Sequence, residues 1–595
     1  MEERITDVLV VGGGVGGTAA AIQAARRGAK TILVSEFPWL GGMLTSAGVS
    51  APDGNELFAF QTGLWGAFLR ELVIRQPEGL DHAWVSFFTY EPRIGAEIFA
   101  DWVRSLPNLE WIVGQRPRQV LKQGNRITGV QFPDFRIQAQ ITLDGTELGD
   151  LLAIGEIPYR WGWEARSQWQ EPSAPDSSEI VQKLNATYPV QAPTWVVVMQ
   201  DFGEGTIAPE IPPPPHYDPA LFAGVWEGYG PEMFLNYGRL PGNRFMINWP
   251  QQGNDYGEGT ERLIQDREAQ QEFWQLAQGH SQGFAHFIQS QLGRRYGLAE
   301  ETFPKGIPGC PGGGAYALHP YYRESRRLQG MVTVREQDLL PVVGGRVAAL
   351  PHAGDSIAIG NYPNDHHYPP AAKQIYDLKL HPKSIRWGGR WTGTSFTIPY
   401  GALVAQEIDG FLVCEKNISV SHMANGATRL QPCVLGIGQA AGMAATLCIE
   451  QHCLPRELPV RSLQEALLQD PIAPSAVIPL FNLPAHHPDW LHWQRHYLDH
   501  PETYPIDGDA PIEPIALPIN DSRTQNFSGI FCRLGDQQYT LTLTDQTVLN
   551  LVTLDAGIDR QLQTYQDREA IGVEGRWNPF GEWVLVNRIT EERNA

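Results

Sequence analysis

The order of residues 7–36 constrains this chain more than any other feature. Asp7–Val11 is a nearly continuous apolar run, the pattern of a parallel strand buried on both faces. Gly12-Gly13-Gly14-Val15-Gly16-Gly17 follows and contains GxGxxG at Gly12, Gly14 and Gly17. Thr18–Arg27 reads as an Ala-rich helix closed by Gly28, and Lys30–Ser35 as a second strand ending at Glu36. Gly12 suits the tight turn, Gly14 lets a pyrophosphate approach the backbone, and Gly17 lets helix and sheet pack closely. The helix N-terminus offers free N–H groups to phosphates. Glu36 stands 24 residues after Gly12, where a carboxylate can accept both hydroxyls of a ribose. Alone, the glycines would fit any Gly-rich turn. Strand, glycines, helix, strand and acid in that order make a dinucleotide site. The acid disfavours a 2′-phosphate, and so NADP.

The next residues separate FAD from NAD. Glu36–Gly48 carries a second glycine pair, Gly41-Gly42, followed by Met43. It resembles the segment that passes the pyrophosphate and flavin in FAD enzymes of the glutathione-reductase type. Glu91–Trp102 reads as a helix before a β-meander built from 111–114, 118–122 and 126–131. Phe135–Leu143 alternates and returns to the sheet, ending in Asp144-Gly145-Thr146-Glu147-Leu148-Gly149-Asp150. That turn resembles the D-A-T-x-x-G-D motif of a large family of FAD-dependent oxidoreductases, distantly related to the succinate dehydrogenase and fumarate reductase flavoproteins. Gly145 replaces the usual Ala. The resemblance recurs at 159–167, 322–330, 356–366 and 396–400, and extends to about residue 450. It implies an α/β fold: a Rossmann-like FAD-binding domain (1–155 and 396–455) with an inserted α+β substrate domain (156–395). Beyond about residue 455 the resemblance fades, and the residues themselves read as a helical or irregular linker (456–518) and a small all-β appendage (519–595).

Near the C-terminal end of the matched region, Gly410–Glu415 reads as a buried strand, and Pro432 opens an apolar, small-residue helix through Glu450. The resemblance points that helix at the flavin pyrimidine edge. Gly426-Ala427-Thr428-Arg429-Leu430 resembles the G-A-N-R-L stretch of fumarate reductases, whose arginine binds a substrate carboxylate; Thr428 departs from it. Arg429 is thus either a substrate anchor or a structural ion pair. His422 reads as the end of a buried strand, either touching substrate or satisfied in the core. Asp365-His366-His367 offers proton-transfer groups or a surface loop, and lacks a third ligand for a metal. The candidate catalytic residues are Arg429, His422, His366 and Tyr400. The candidate cofactor residues are Gly12, Gly14, Gly16, Gly17, Glu36, Gly41, Gly42, Met43, Thr146, Gly149, Gln431, Cys433 and Val434. Related dehydrogenases that bind flavin covalently use a histidine just after the glycine pair. Residues 43–50 contain none, so FAD is expected to be non-covalent.

Elsewhere, Ile264–Leu292 reads as a long helix whose Phe273, Trp274, Phe284 and Phe287 are core anchors. Arg323, Glu324, Arg326 and Arg327 form a solvated face, an ion-pair cluster or a basic wall, before an expected strand at 331–335. Pro511–Pro518 reads as a linker, and residues 519–592 alternate as strands. The net charge of −21 disfavours nucleic acid or an anionic membrane as a partner. The longest apolar stretch, Val434–Ile449, is interrupted by three glycines and a glutamine, so no membrane span is expected. The six cysteines form no CxxC pair and no signal peptide is visible, which points to a reducing cytoplasm. The expected function is hydride transfer from a small organic substrate to flavin N5. The alternatives are an isomerase or transferase without net oxidation, or a flavin-holding scaffold. The oligomeric state is open.

Overall fold

The computed structural model describes residues 2–380, 385–513 and 523–590. Strand β1 (Glu2–Val11), helix α1 (Val15–Arg26) and β2 (Thr31–Ser35) form the first βαβ unit. Val8–Val11 and all of β2 are buried, because sheet faces on both sides are covered. β3 (Leu109–Val113), β4 (Gln119–Gln123), β5 (Arg126–Gln131) and β6 (Phe135–Asp144) complete a seven-stranded sheet in the order β3-β2-β1-β6-β5-β4, with strand Phe411–Val413 added beside β6. β3, β2, β1, β6 and 411–413 are mutually parallel, while β5 and β4 fold back antiparallel. The expected meander is therefore corrected. Leu109–Val113 extends the parallel sheet beyond β2, because its register with Thr31–Ser35 is a parallel ladder.

Helix Gln431–Glu450 packs along α1. A Cβ added at Gly438 or Gly442 would lie 2.2 Å from the backbone oxygen of Gly16 or Ala20. Its small residues thus serve a backbone-to-backbone helix contact. The helix has the length and apolarity to cross a bilayer, but 89% of its apolar window is buried inside this fold.

Between these halves lies an antiparallel four-stranded sheet, ordered 296–298, 197–201, 244–247 and 239–240. The helix Arg267–Leu292 packs with it, and its first turn is capped by the Asp266 carboxylate, which accepts from the Ala269 N–H at 2.9 Å. The strand expected at 331–335 is absent. Those residues form bends, an isolated bridge at Val334 and the approach to a 3₁₀ turn at Glu336–Asp338. The charge run before them is buried, not solvated: Arg323, Glu324, Arg326 and Arg327 are at most 6% exposed. Charges taken from water need partners, and Arg327 meets Glu164 at 3.0 Å and Glu324 at 3.2 Å.

The C-terminal strands close a barrel, 525–535, 538–543, 548–552, 583–590 and 570–578 in ring order. It is not all-β, since helix Ala556–Thr564 crosses between two of its strands. Asn578 donates to the Ala83 carbonyl at 3.0 Å, and Gly388 donates to Gln537 at 2.8 Å, so the barrel is docked through side chain and backbone. Helices Val460–Leu468 and Trp490–Asp499 occupy the preceding region. The expected linker at 511–518 lies mostly outside the described residues.

Candidate active site

A narrow groove runs along the first βαβ unit. Gly12, Gly13 and Gly14 form one side, Ser35 and Glu36 the end of β2 form another, and Thr146 to Leu148 close it. Gly12 adopts φ +110°, and a Cβ there would lie 2.2 Å from the Gly145 carbonyl carbon. The second glycine pair meets the first: Gly41 donates to the Gly13 carbonyl at 3.0 Å. Gly42 sits at φ +44°, where a Cβ would meet Glu147 Oε1 at 2.3 Å and Gly14 Cα at 2.9 Å. A side chain at these points would collide with the protein's own backbone and with Glu147, so the two glycine segments and the 145–147 turn close on one another only without one. Gly14 caps α1 with no side-chain hydrogen bond, so the first-turn N–H groups lack intrahelical acceptors.

Charge at the groove is arranged in two clusters. Burial pushes the Glu36 carboxyl up, while Arg116 at 3.5 Å and Arg267 at 3.2 Å hold it down. Arg267 also stacks over Trp274, whose indole N–H donates to Tyr322 Oη at 2.6 Å. At the other end, the fully buried Lys416 bridges Glu147 at 2.6 Å and Glu415 at 2.9 Å. Glu147 Oε1 has no hydrogen-bond partner among the described residues. Glu415 accepts the Gly16 N–H at 2.7 Å, so one first-turn donor is already engaged by the chain itself.

The segment after Gly42 leaves the groove at Ser46 and enters a larger cavity at Val49, Ala51 and Asp53. This cavity is about 720 Å³, within the ~300–1,000 Å³ range of small-molecule sites. Its wall carries an unbroken charge chain. Arg323 meets Asp255 at 3.0 Å, Asp255 meets His367 at 2.7 Å, His367 meets Asp365 at 2.7 Å, and Asp365 meets Arg429 at 3.6 Å. Arg429 also donates to Tyr321 Oη. Asp53 stands opposite, with Tyr362 Oη at 3.5 Å. Burial and the neighbouring Glu56 raise the Asp53 carboxyl to about 8.

A second chain leads away from the cavity wall. Tyr368 lines the cavity, and its hydroxyl lies 2.6 Å from His422 Nε2. His422 Nδ1 lies 2.8 Å from Glu324 Oε1, and its backbone N–H donates to Glu164 at 2.8 Å. Trp163 packs against the imidazole with ring centroids 4.3 Å apart. The Nδ1 contact to a carboxylate fixes the tautomer in which Nδ1 carries hydrogen and Nε2 faces Tyr368.

Several expected residues take other places. Tyr400 donates to the Pro455 carbonyl at 2.9 Å and does not line the cavity, because its 3₁₀ turn packs at the far end of helix 431–450. His422 opens a helix, His422–Thr428, capped by Ser421, instead of ending a strand; it stands one layer behind Tyr368. His366 does line the cavity, but burial and the adjacent His422 push it down to about 3, so it is neutral near pH 7. Gly16 and Gly17 are packing residues: added Cβ atoms would lie 1.7 Å from Cys414 O and 2.1 Å from Gly12 O. Gly41, Met43 and Gly149 support the groove from behind; Gly149 caps the short helix at Asp150 with φ +65°. Gln431 reaches the cavity, whereas Cys433 and Val434 are buried within the helix packing. Burial pushes the Cys433 thiol up to about 12. Trp274 is buried in the core as expected and also lines the groove. Asp53 and Tyr368 were missed: each is a single polar residue in a loop with no surrounding motif.

Residues 7–467 match the family model described as "FAD dependent oxidoreductase". Among solved structures, a geranylgeranyl bacteriochlorophyll reductase-like protein from Thermoplasma acidophilum is 12% identical, with 79% of this chain and 84% of that one covered and a TM-score of 0.31. L-proline dehydrogenase from P. horikoshii is 14% identical, covering 35% of this chain and 64% of that one at TM-score 0.23. Thioredoxin reductase from T. acidophilum is 19% identical, covering 24% and 36% at TM-score 0.17. The chain thus spans under two thirds of the length of these last two. The family match carries the weight. The groove fits FAD by its own chemistry: a backbone cradle of glycines, a helix start whose N-cap Gly14 offers no side chain, a carboxylate at the end of β2 and an aromatic wall.

Proposed function

We propose, for a chain that belongs to the FAD-dependent oxidoreductase family, that it oxidises a small organic molecule held in the cavity beside the nucleotide groove. Bound FAD supplies a two-electron acceptor that takes hydride at N5. Gly12, Gly14, Gly42 and Thr146 would hold the dinucleotide, with Glu36 toward the ribose. Arg429 and Gln431 would orient the substrate from the cavity wall. Hydride loss from a C–H beside an O–H or N–H requires that the second proton leave. Tyr368 would take that proton as its own hydroxyl hydrogen passes to His422 Nε2. The imidazolium so formed would be held by Glu324, whose position Arg327 fixes at 3.2 Å. His422 and Glu324 are positioning residues in this scheme, since Tyr368 stands between them and the cavity.

The single observation that carries the reading is the Tyr368–His422–Glu324 chain, with both links at 2.6–2.8 Å, opening into the cavity that the glycine-pair segment enters. General acid–base contributions of this kind are worth about 10²–10⁴ in rate. Tyr368→Phe should therefore slow anaerobic flavin bleaching by about that factor, leaving flavin content and absorbance unchanged. An equal bleaching rate in the variant would rule out the relay. His422→Gln should fall between the two and flatten the pH profile of bleaching, which a purely structural histidine would not do.

A further inference from the structure

Helix Gln431–Glu450 ends in a turn that sets two thiols side by side. His452 takes the left-handed conformation at φ +52°. Its N–H donates to the Ile449 carbonyl at 3.3 Å, and the Cys453 N–H donates back to the Cys448 carbonyl at 3.0 Å. These are the paired bonds of a Schellman turn, in which the side chain three residues before the helix cap packs on the one two residues after it. Here both side chains are cysteines. The Cys448 thiol has the Cys453 thiol and the Tyr400 hydroxyl as hydrogen-bond neighbours. Cys433 stands 15 residues earlier on the same helix. At the helical rise that is about 22 Å, far beyond the ~7 Å between Cα atoms that a disulfide spans.

The two thiols are unequal. Cys448 is buried, and burial together with the Cys453 thiol beside it pushes Cys448 well above the ordinary thiol range. Cys453 is half-buried, so it is the sulfur of the pair that a small solute reaches. A reachable cysteine with a second, sheltered one against it has the arrangement in which oxidation of the first is resolved as a disulfide. Tyr400 joins this end of the molecule to the same turn, since its hydroxyl donates to the Pro455 carbonyl at 2.9 Å.

We propose that Cys448 and Cys453 form a reversible oxidation site that takes a hydroperoxide. In the first step the Cys453 sulfur bonds to a peroxide oxygen, the O–O bond breaks, and the thiol proton leaves in water; Cys453 becomes a sulfenic acid. In the second, the Cys448 sulfur bonds to the Cys453 sulfur, the S–O bond breaks, and the Cys448 proton leaves with the hydroxide as a second water. Two electrons have passed from the dithiol to the peroxide, and a dithiol reductant returns them. Because Cys448 is held as the thiol, its step is the slower one, so the sulfenic acid lives long enough to be trapped. The disulfide staples the end of the helix that packs along α1 to the turn that follows it.

The test treats FAD-loaded protein with a small excess of hydrogen peroxide. The protein is then unfolded, alkylated with N-ethylmaleimide and digested with trypsin. Cleavage after Arg429 and Arg456 gives one peptide, 430–456, that carries Cys433, Cys448 and Cys453. Untreated protein should take three labels on this peptide. Treated protein should take one, at Cys433, on a peptide two hydrogens lighter, and dithiothreitol before alkylation should restore all three. In Cys448→Ser, dimedone should trap Cys453 as its sulfenic acid; in Cys453→Ser, Cys448 should keep its label. If either variant does not fold, the label count and its reversal in the wild type decide alone. Three labels after peroxide overturn the proposal. So does Cys453 carried on to sulfinic acid, or bridged to another chain, while Cys448 stays labelled.

Discussion

The nucleotide groove and the substrate cavity adjoin along one segment, yet they are built in opposite ways. The groove is made of backbone. Its lining glycines, Gly12 to Gly14 and Gly42, fall within one stretch of chain, and a side chain at any of them would collide with neighbouring protein atoms. The cavity is made of side chains. Asp53, Asp255, Arg323, Asp365, Tyr368 and Arg429 are spread along the chain from 53 to 429 and face one another only after folding. A backbone site tolerates almost no substitution at its glycines, although Arg116, Thr146 and Trp274 from distant segments complete its walls. A side-chain site has the opposite sensitivity, because its charges are mutually compensating.

Three substitutions separate these two behaviours, the largest effect first. Gly42→Val places a branched side chain at φ +44° against Glu147 and Gly14. It should yield colourless protein with unchanged far-UV circular dichroism; a yellow variant would show that the glycine pair is not part of the cradle. Glu36→Ala removes one charge-assisted contact of about 1.5–3 kcal/mol. Flavin affinity should drop on the order of tenfold, measured by fluorescence on titration of apoprotein. Undiminished affinity would mean that Glu36 serves only to hold Arg116 and Arg267.

The smallest effect lies in the cavity and depends on pH. The folded protein raises Asp53 to about 8, whereas the unfolded chain releases that proton near its ordinary value of about 4. The associated stability is fully present below pH ~4 and is lost as the pH rises through about 8. Glu56, Asp365, Arg390 and Arg429 are the charged groups that act on Asp53. The melting temperature of the wild type should therefore fall between about pH 4 and 8 more steeply than that of Asp53→Asn. Parallel curves would show that Asp53 is ionised across that range.

The same contrast explains what could be read before folding. The groove was legible because each of its tasks needs a particular residue at a particular spacing: glycine where φ is positive at Gly12, an acid at the end of β2, a second glycine pair just beyond. Arg429 and His366 were legible as cavity residues through their motifs. The partners that redefine them were not. Asp365 neutralises Arg429, and Tyr368 stands in front of His422, because the chain folds 365–368 against the helix at 422–428. Tyr400 misled for the same reason: its local motif is intact, but its hydroxyl is spent on Pro455. The buried run at Arg323–Arg327 has the composition of a surface, and only its long-range partners Glu164 and Asp255 keep it inside. Trp274 followed helical periodicity into the core, where the groove happens to pass.

The most direct measurement of whether groove and cavity form one site is diffraction from crystals grown with FAD. The expected density places the adenosine end beside Glu36 and Trp274, the pyrophosphate against Gly12 to Gly14, and the isoalloxazine ring at the mouth of the cavity within reach of Arg429 and Tyr368. Density that ends at the groove, or a ring that turns away from the Arg429 wall, would contradict it.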